Sequence, residues 1–289
     1  MEKTFANLKQ YLDFYEINQE YLYHYKEEKI EEGTQQTVLH IFEPASITKT
    51  ILLVHGYFDH TGGLKNLINH FLRKGWRVLS YDLAGHGLSS GNRAEINDFT
   101  DYVNTFKKVL SYSKGNKCYP SVVLAHSTGT AICTHFLLQS QQKFEKVIYL
   151  APLVRANKWC SIVAASKFVP FFTKRLKRKF KVNSGDNQYL SFVKNDPLQC
   201  RYISIHWVLA LIKWNKKVEA LSASTQKLYI IQGTDDHTVD WKYNISFLQK
   251  KFTDCQIAII ENGRHQLMND HPSIKRHLLK MIDDYIDEV

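Results

Sequence analysis

The chain has no apolar run approaching the ~18 residues of a membrane span, and its first residues lack the charged-then-apolar order of a secretory leader. Cysteine is sparse: Cys118, Cys133, Cys160, Cys200 and Cys255 are odd in number, scattered, and form no C-x-x-C pair. That excludes a disulfide framework and fits a reducing compartment. The expected location is therefore cytoplasmic, with peripheral membrane contact as the one addition argued below. Histidines are plentiful, yet none stand in H-E-x-x-H or at other close ligand spacing, so no metal is expected. There is no G-x-G-x-x-G and no Walker pattern, hence no nucleotide cofactor. Any chemistry must come from side chains alone.

Acidic residues are nearly missing from one stretch. Between Pro152 and Lys227 there are 15 Lys and Arg against 3 Asp and Glu, a local balance of +12 where the whole chain carries +10. Outside that stretch the sequence is close to neutral. Its 289 residues suit one α/β domain with an insertion, enough to bury a sizeable core.

Short apolar, β-branched runs alternate with helical patterns. Residues 50–54, 76–81, 122–125, 146–150, 227–232 and 256–260 read as buried strands. Residues 64–73 and 98–112 carry helical apolar spacing, and 273–289 reads as a final amphipathic helix after Pro272. Such alternation predicts a mostly parallel sheet covered by helices on both faces. Residues 1–35, rich in Tyr, Glu and Lys, read as a polar lead-in. The core is expected over 36–151 and 227–289. Residues 152–226 break the alternation and read as an inserted helical cap.

One strand ends in unusual punctuation. Val122-Val123-Leu124-Ala125-His126-Ser127-Thr128-Gly129 is an apolar run that stops at small-x-Ser-x-Gly and is followed at once by a helix-compatible segment. Strand, tight turn and helix place a serine at the apex, with Ala125 and Gly129 small enough to let the chain double back. The first amides of the new helix then face a point where negative charge would develop. A serine hydroxyl needs a histidine base and a carboxylate to orient it. In an open parallel sheet both must come from loops at the carboxyl ends of later strands. The run 227–232 is followed by Gly233-Thr234-Asp235-Asp236-His237, and 256–260 by Glu261-Asn262-Gly263-Arg264-His265. Ser, Asp and His in that order are what an α/β-hydrolase fold requires. After residues 50–54 comes His55-Gly56-Tyr57, where the Tyr57 amide can join that of Thr128 as an oxyanion donor.

These motifs carry a resemblance. Val54-His55-Gly56-Tyr57-Phe58-Asp59-His60-Thr61-Gly62 resembles the H-G-x-x-[ED]-H-x-x segment of monoacylglycerol lipases. Tyr81-Asp82-Leu83-Ala84-Gly85-His86-Gly87-Leu88-Ser89-Ser90-Gly91 is similar to their D-x-x-G-H-G-x-S-x-G turn. Asn97-Asp98-Phe99-Thr100-Asp101-Tyr102-Val103 resembles the segment that follows in those lipases and in bacterial lysophospholipases. The likeness runs from about Val38 to the C-terminus and is weakest over 152–226. Position by position it implies Ser127 as nucleophile, Asp236 as triad acid, His265 as base, and the Tyr57 and Thr128 amides as oxyanion donors. Ala125, where many hydrolases have Gly, is the departure. Asp235 competes with Asp236, but the family's carboxylate stands three residues after the strand-ending glycine, which selects Asp236. Asp240 is better placed to begin the helix at Trp241.

The resemblance implies a serine hydrolase acting on carboxylic esters of lipids, of lysophospholipase or monoacylglycerol lipase type. A thioesterase or aminopeptidase with the same three residues, or a catalytically silent binding module of the same fold, are the alternatives. Within the cap, Phe168-Val169-Pro170-Phe171-Phe172 lies just before Lys174-Arg175-Leu176-Lys177-Arg178-Lys179-Phe180-Lys181. Apolar residues beside clustered cations suit an interface between water and anionic lipid. No nucleic-acid-binding motif accompanies the charge, so no nucleic-acid partner is expected. Oligomeric state is not legible.

Overall fold

A computed structural model describes residues 5–33 and 35–288; Met1–Thr4, Thr34 and Val289, which fall in the lead-in and the last helix read above, lie outside the described residues. The strands are β1 (His24–Glu32), β2 (Gln35–Glu43), β3 (Lys49–Val54), β4 (Trp76–Tyr81), β5 (Val122–His126), β6 (Lys146–Leu150), β7 (Arg175–Lys177), β8 (Tyr202–Ser204), β9 (Leu228–Gly233) and β10 (Cys255–Ile260). The helices are α1 (Leu8–Phe14), α2 (Lys65–Arg73), α3 (Phe99–Gly115), α4 (Thr128–Gln139), α5 (Trp159–Ala165), α6 (Asn187–Asn195), α7 (Ile205–Glu219), α8 (Trp241–Lys251) and α9 (Pro272–Asp287). Among the described residues one eight-stranded sheet runs β1-β2-β4-β3-β5-β6-β9-β10. The pairs β1–β2 and β2–β4 are antiparallel and the rest parallel. This is the mostly parallel sheet that the alternation of runs predicts.

Burial on both faces explains why the central strands read as continuous apolar runs. Val123, Ala125, Val147, Tyr149 and Ile230 face one cluster, packed with α3, α4, α7 and α8. Val122, Leu124, Ile148, Leu150 and Ile231 face the other, packed with α1, α2 and α9. In α2 the buried apolar residues are Leu67, Ile68, Phe71 and Leu72, so one helical stripe faces the sheet. Each such side chain contributes roughly 1.5–3 kcal/mol on burial.

Two sequence readings need correction. Part of the polar lead-in belongs to the sheet: β1 pairs along its length with β2, and α1 sinks Tyr11 and Leu12 into the core. Its charged alternation hid it, because an edge strand presents polar side chains to water. The cap is also not wholly helical. β7 pairs antiparallel with β8, Arg175 opposite Ser204, a contact between distant residues that local periodicity cannot reveal. Nor does the last part of the insertion stand apart, since Trp207, Leu211, Trp214 and Val218 of α7 join the main core cluster. Helix α5, by contrast, buries none of its residues. Among the described residues no helix is long and apolar enough to cross a membrane.

Candidate active site

The turn after β5 holds Ser127 at φ 51° and ψ −115°, a left-handed conformation that a non-glycine residue rarely adopts. Its cost is met by the contacts around it. Ser127 N–H donates to the Leu150 carbonyl at 3.0 Å, and its own carbonyl accepts from Thr130 N–H at 2.9 Å and Thr130 Oγ1 at 2.6 Å. Gly129 is dictated by space: a Cβ there would lie 2.3 Å from the Val54 carbonyl oxygen. Gly56 is nearly as constrained, since a Cβ would stand 3.0 Å from both His126 Nδ1 and Ser127 Cβ. Although Ser127 precedes α4, its hydroxyl does not cap that helix. The hydroxyl turns to His265 instead.

Ser127 Oγ lies 3.1 Å from His265 Nε2, and His265 Nδ1 lies 2.8 Å from Asp236 Oδ2. All three side chains are buried. Asp236 also accepts from Gln232 Nε2 (3.2 Å) at Oδ2, and from Thr238 N–H (2.8 Å) and Val239 N–H (3.2 Å) at Oδ1. Burial pushes this carboxyl upward, but the neighbouring His265 imidazole and these donors together hold it below its ordinary value. It is an anion oriented at Nδ1. The adjacent Asp235 is engaged elsewhere, with Arg264 Nε at 3.1 Å and His237 Nε2 at 2.9 Å. Asp240 caps α8 by accepting from Tyr243 N–H. Of the candidate acids, Asp236 is the one that reaches His265.

A further histidine supports His265. His126 Nε2 donates to the His265 carbonyl at 3.0 Å, and the two rings lie 4.9 Å apart. Burial, and then the His265 ring, push the His126 imidazole down to about 3, so it is a neutral strut. Its position beside the serine was visible in the sequence, but nothing there signalled this role.

The loop after β3 is tied in three directions. His55 Nδ1 donates to the Gly56 carbonyl at 2.8 Å while its Nε2 accepts from Leu83 N–H at 2.9 Å. Tyr57 stacks on Trp207 of α7 with ring centroids 3.8 Å apart; its hydroxyl donates to the Ala94 carbonyl and accepts from Ser204 N–H. Asp82, from the D-x-x-G-H-G turn, accepts from Thr61 N–H at Oδ1 and from Leu88 N–H at Oδ2. That motif therefore braces the loop carrying Tyr57. Thr128, as the first residue of α4, has one of the amides a helix leaves unsatisfied.

Ser127, Thr128, Tyr57 and His265 line one cavity of about 170 Å³. Its walls are largely apolar, with Leu153, Val193, Trp207 and Val239, and its polar members include Asp59, Asn183, Tyr189 and Arg178. The last four escaped sequence reasoning. Arg178 in particular sat in the basic run read as a solvated or lipid-facing patch, and which cation of that run turns inward depends on the β7–β8 pairing.

A family model described as serine aminopeptidase, S33, matches residues 45–272. The chain belongs to that family. It is a serine hydrolase of the α/β-hydrolase fold, and the likeness to monoacylglycerol lipases and lysophospholipases read from its motifs holds across the chain. Human monoglyceride lipase is 25% identical over 258 residues, covering 86% of this chain and 85% of the relative. The monoglyceride lipase homolog of monkeypox virus is 26% identical, covering 85% and 92%. A probable lysophospholipase L2 of Haemophilus influenzae is 20% identical, covering 86% and 87%. In fold, a soluble variant of Saccharomyces cerevisiae monoglyceride lipase, solved with a substrate analog, superposes with a TM-score of 0.77 at 17% identity, covering 91% of this chain and 95% of that one.

Proposed function

We propose that the protein hydrolyses carboxylic esters of lipids, with a monoacylglycerol or a lysophospholipid as substrate, through Ser127, His265 and Asp236. The hydrogen-bonded run from Ser127 Oγ through His265 to Asp236, opening into an apolar cavity, is the observation that supports this reading most. His265 Nε2 takes the Ser127 proton as Oγ attacks the acyl carbonyl. The oxyanion that forms is held by the Tyr57 and Thr128 amides. Asp236 keeps the Nδ1 proton in place and stabilises the imidazolium. His265 then protonates the departing alcohol, and a water activated by the same ring releases the fatty acid. The acyl chain would lie against the apolar wall, where each buried CH₂ is worth about 0.8 kcal/mol.

The segment 152–226 acts in this reading as a cap over the site. Its outer side presents Phe168, Phe171 and Phe172 at 67%, 83% and 86% exposure, with Lys174, Arg175, Lys177 and Lys179 exposed beside them. Apolar tips ringed by cations favour peripheral docking on anionic lipid, which would bring the cavity mouth to its substrate.

An aminopeptidase reading suits this cavity less well. A substrate ammonium needs a carboxylate, and the cavity offers Asp59, whose carboxyl burial pushes upward, while Arg178 lines the same cavity with a cation. The test is Ser127→Ala, assayed on monoacylglycerol, lysophospholipid and aminoacyl-amide substrates together with fluorophosphonate labelling. Ester turnover should drop by up to ~10⁶-fold and labelling should vanish in a folded protein. Retained ester hydrolysis would refute the mechanism, and amide turnover without ester turnover would refute the substrate class.

A further inference from the structure

The strand β7 ends at Lys177, and the next residue leaves the basic surface. Arg178 is half-buried, its guanidinium held between two rings, 4.2 Å from the Phe58 centroid and 4.5 Å from that of Phe180. Its Nη1 donates to Gln199 Oε1 at 2.7 Å and to the Cys200 carbonyl at 3.1 Å. Among the described residues no carboxylate lies at ion-pair distance from it, and neither Nε nor Nη2 has a hydrogen-bond acceptor. A guanidinium has five N–H donors in a planar fork. With Nη1 taken, the edge left over is the Nε/Nη2 pair, the one that grips a phosphate or carboxylate with two parallel bonds.

Arg178 sits at a junction. It lines the cavity that holds Ser127 and His265, and also an adjoining one of about 220 Å³, the two sharing Phe58, Asn183, Val193 and Thr238. The second cavity is lined by Lys179, Lys181 and Lys194 and by no acidic residue. A partly desolvated cation without a counter-ion costs stability unless a ligand supplies the charge. A neutral glycerol head group would leave that cation unmatched, whereas a phosphate would satisfy it.

We infer that Arg178, backed by Lys179, Lys181 and Lys194, forms a subsite for a phosphate carried on the leaving-group side of the substrate, so that the enzyme selects anionic phosphate-bearing acyl esters over neutral monoacylglycerols. The inference rests on the ester-hydrolase reading for its place in the reaction, but the subsite itself is tested by binding.

The experiment measures binding of non-hydrolysable ether lipids to the whole chain by calorimetry below their micellar concentrations. A 1-O-alkyl-glycerophosphoglycerol is compared with the matching 1-O-alkylglycerol, and an S-alkyl coenzyme A separates a lysophospholipid from a thioester as the phosphate source. The phosphoglycerol ether should bind at least tenfold more tightly than the neutral ether. Arg178→Gln should remove about 10- to 100-fold of that preference, as expected for charge-assisted hydrogen bonds. Arg178→Lys, which keeps the charge but loses the fork, should retain only part of it and guards against a folding defect in the Gln variant. Lys216→Gln, an equal loss of charge on the exposed side of α7, should leave the preference intact. Equal affinity for the two glycerol ethers, no binding of either, or a preference that Arg178→Gln does not reduce would overturn the subsite. Tighter binding of the coenzyme A analogue than of the phosphoglycerol would keep the phosphate site and overturn the lysophospholipid as its source. If binding behaves as expected while no ester is turned over, the hydrolase reading fails and the subsite stands.

Discussion

Replacing Asp236 by Asn separates orientation from charge at the His265 ring. The carboxylate accepts four hydrogen bonds: from His265 Nδ1 and Gln232 Nε2 at Oδ2, and from Thr238 and Val239 N–H at Oδ1. An Asn side chain has one oxygen to offer. If that oxygen stays with the two backbone amides, the NH₂ faces His265 Nδ1, which must then give up its proton and accept. The remaining ring proton moves to Nε2, pointing at Ser127, where it blocks proton abstraction. The opposite flip keeps the correct tautomer but aims NH₂ at Thr238 and Val239, leaving two buried donors unsatisfied at about 1–3 kcal/mol each. The first arrangement wins by several kcal/mol, so the ring is held in the wrong tautomer. The expected loss in kcat is about 10⁴-fold, equivalent to ~5.4 kcal/mol of barrier. Asp235→Asn removes only a partly exposed contact with Arg264 and His237 and should change kcat by less than about threefold. Both variants would be assayed on a short soluble ester, with thermal unfolding as the check on folding. A folded Asp236→Asn protein within tenfold of the parent, or a crippled Asp235→Asn, would refute the assignment.

Gly129→Ala should disable the enzyme without touching a reacting group, because its Cβ would lie 2.3 Å from the Val54 carbonyl oxygen and push the first turn of α4 outward; a stability loss of about 1–3 kcal/mol and a loss of probe labelling are expected. Stability should also fall from pH 6.5 toward pH 3. Burial, then neighbouring imidazoles, push His126 and His86 down to about 3, so over that range the unfolded chain takes up protons that the folded chain refuses. Urea midpoints across this range would show it, and a flat profile would contradict neutral buried histidines. On phosphatidylglycerol vesicles the parent should sediment at low salt and be released at high salt. Phe168→Ser with Phe171→Ser and Phe172→Ser, or Lys174, Arg175, Lys177 and Lys179 changed to Gln, should each weaken sedimentation; equal binding to neutral vesicles would remove the electrostatic part of the docking.

Much of the catalytic reading was available from local signals. The strand runs, the small-x-Ser-x-Gly turn and the Asp and His after later strands are local because a parallel sheet brings the carboxyl ends of its strands to one edge whatever the connecting lengths. Order along the chain thus became proximity in space for Ser127, Asp236 and His265, now joined at 3.1 and 2.8 Å. The same holds for Gly129 and Gly56, whose smallness is read directly from a tight turn. Strand β1 was not legible, since its Glu and Lys residues mask an edge strand whose stability comes from pairing with β2.

What the sequence by itself determined was the fold, the order of its elements and the residue types at the sheet edge, all set by patterns a few residues long. Only the tertiary structure put Asp236 in contact with His265 and Asp235 with Arg264, drew His126 under His265, and turned Arg178 out of a uniform basic run into the cavity. Those outcomes depend on pairings between residues far apart in the chain, such as Arg175 with Ser204 and Tyr57 with Trp207. A window of sequence cannot contain both partners of such a pair, so the direction of a side chain in the cap is fixed only when the whole molecule has closed around it.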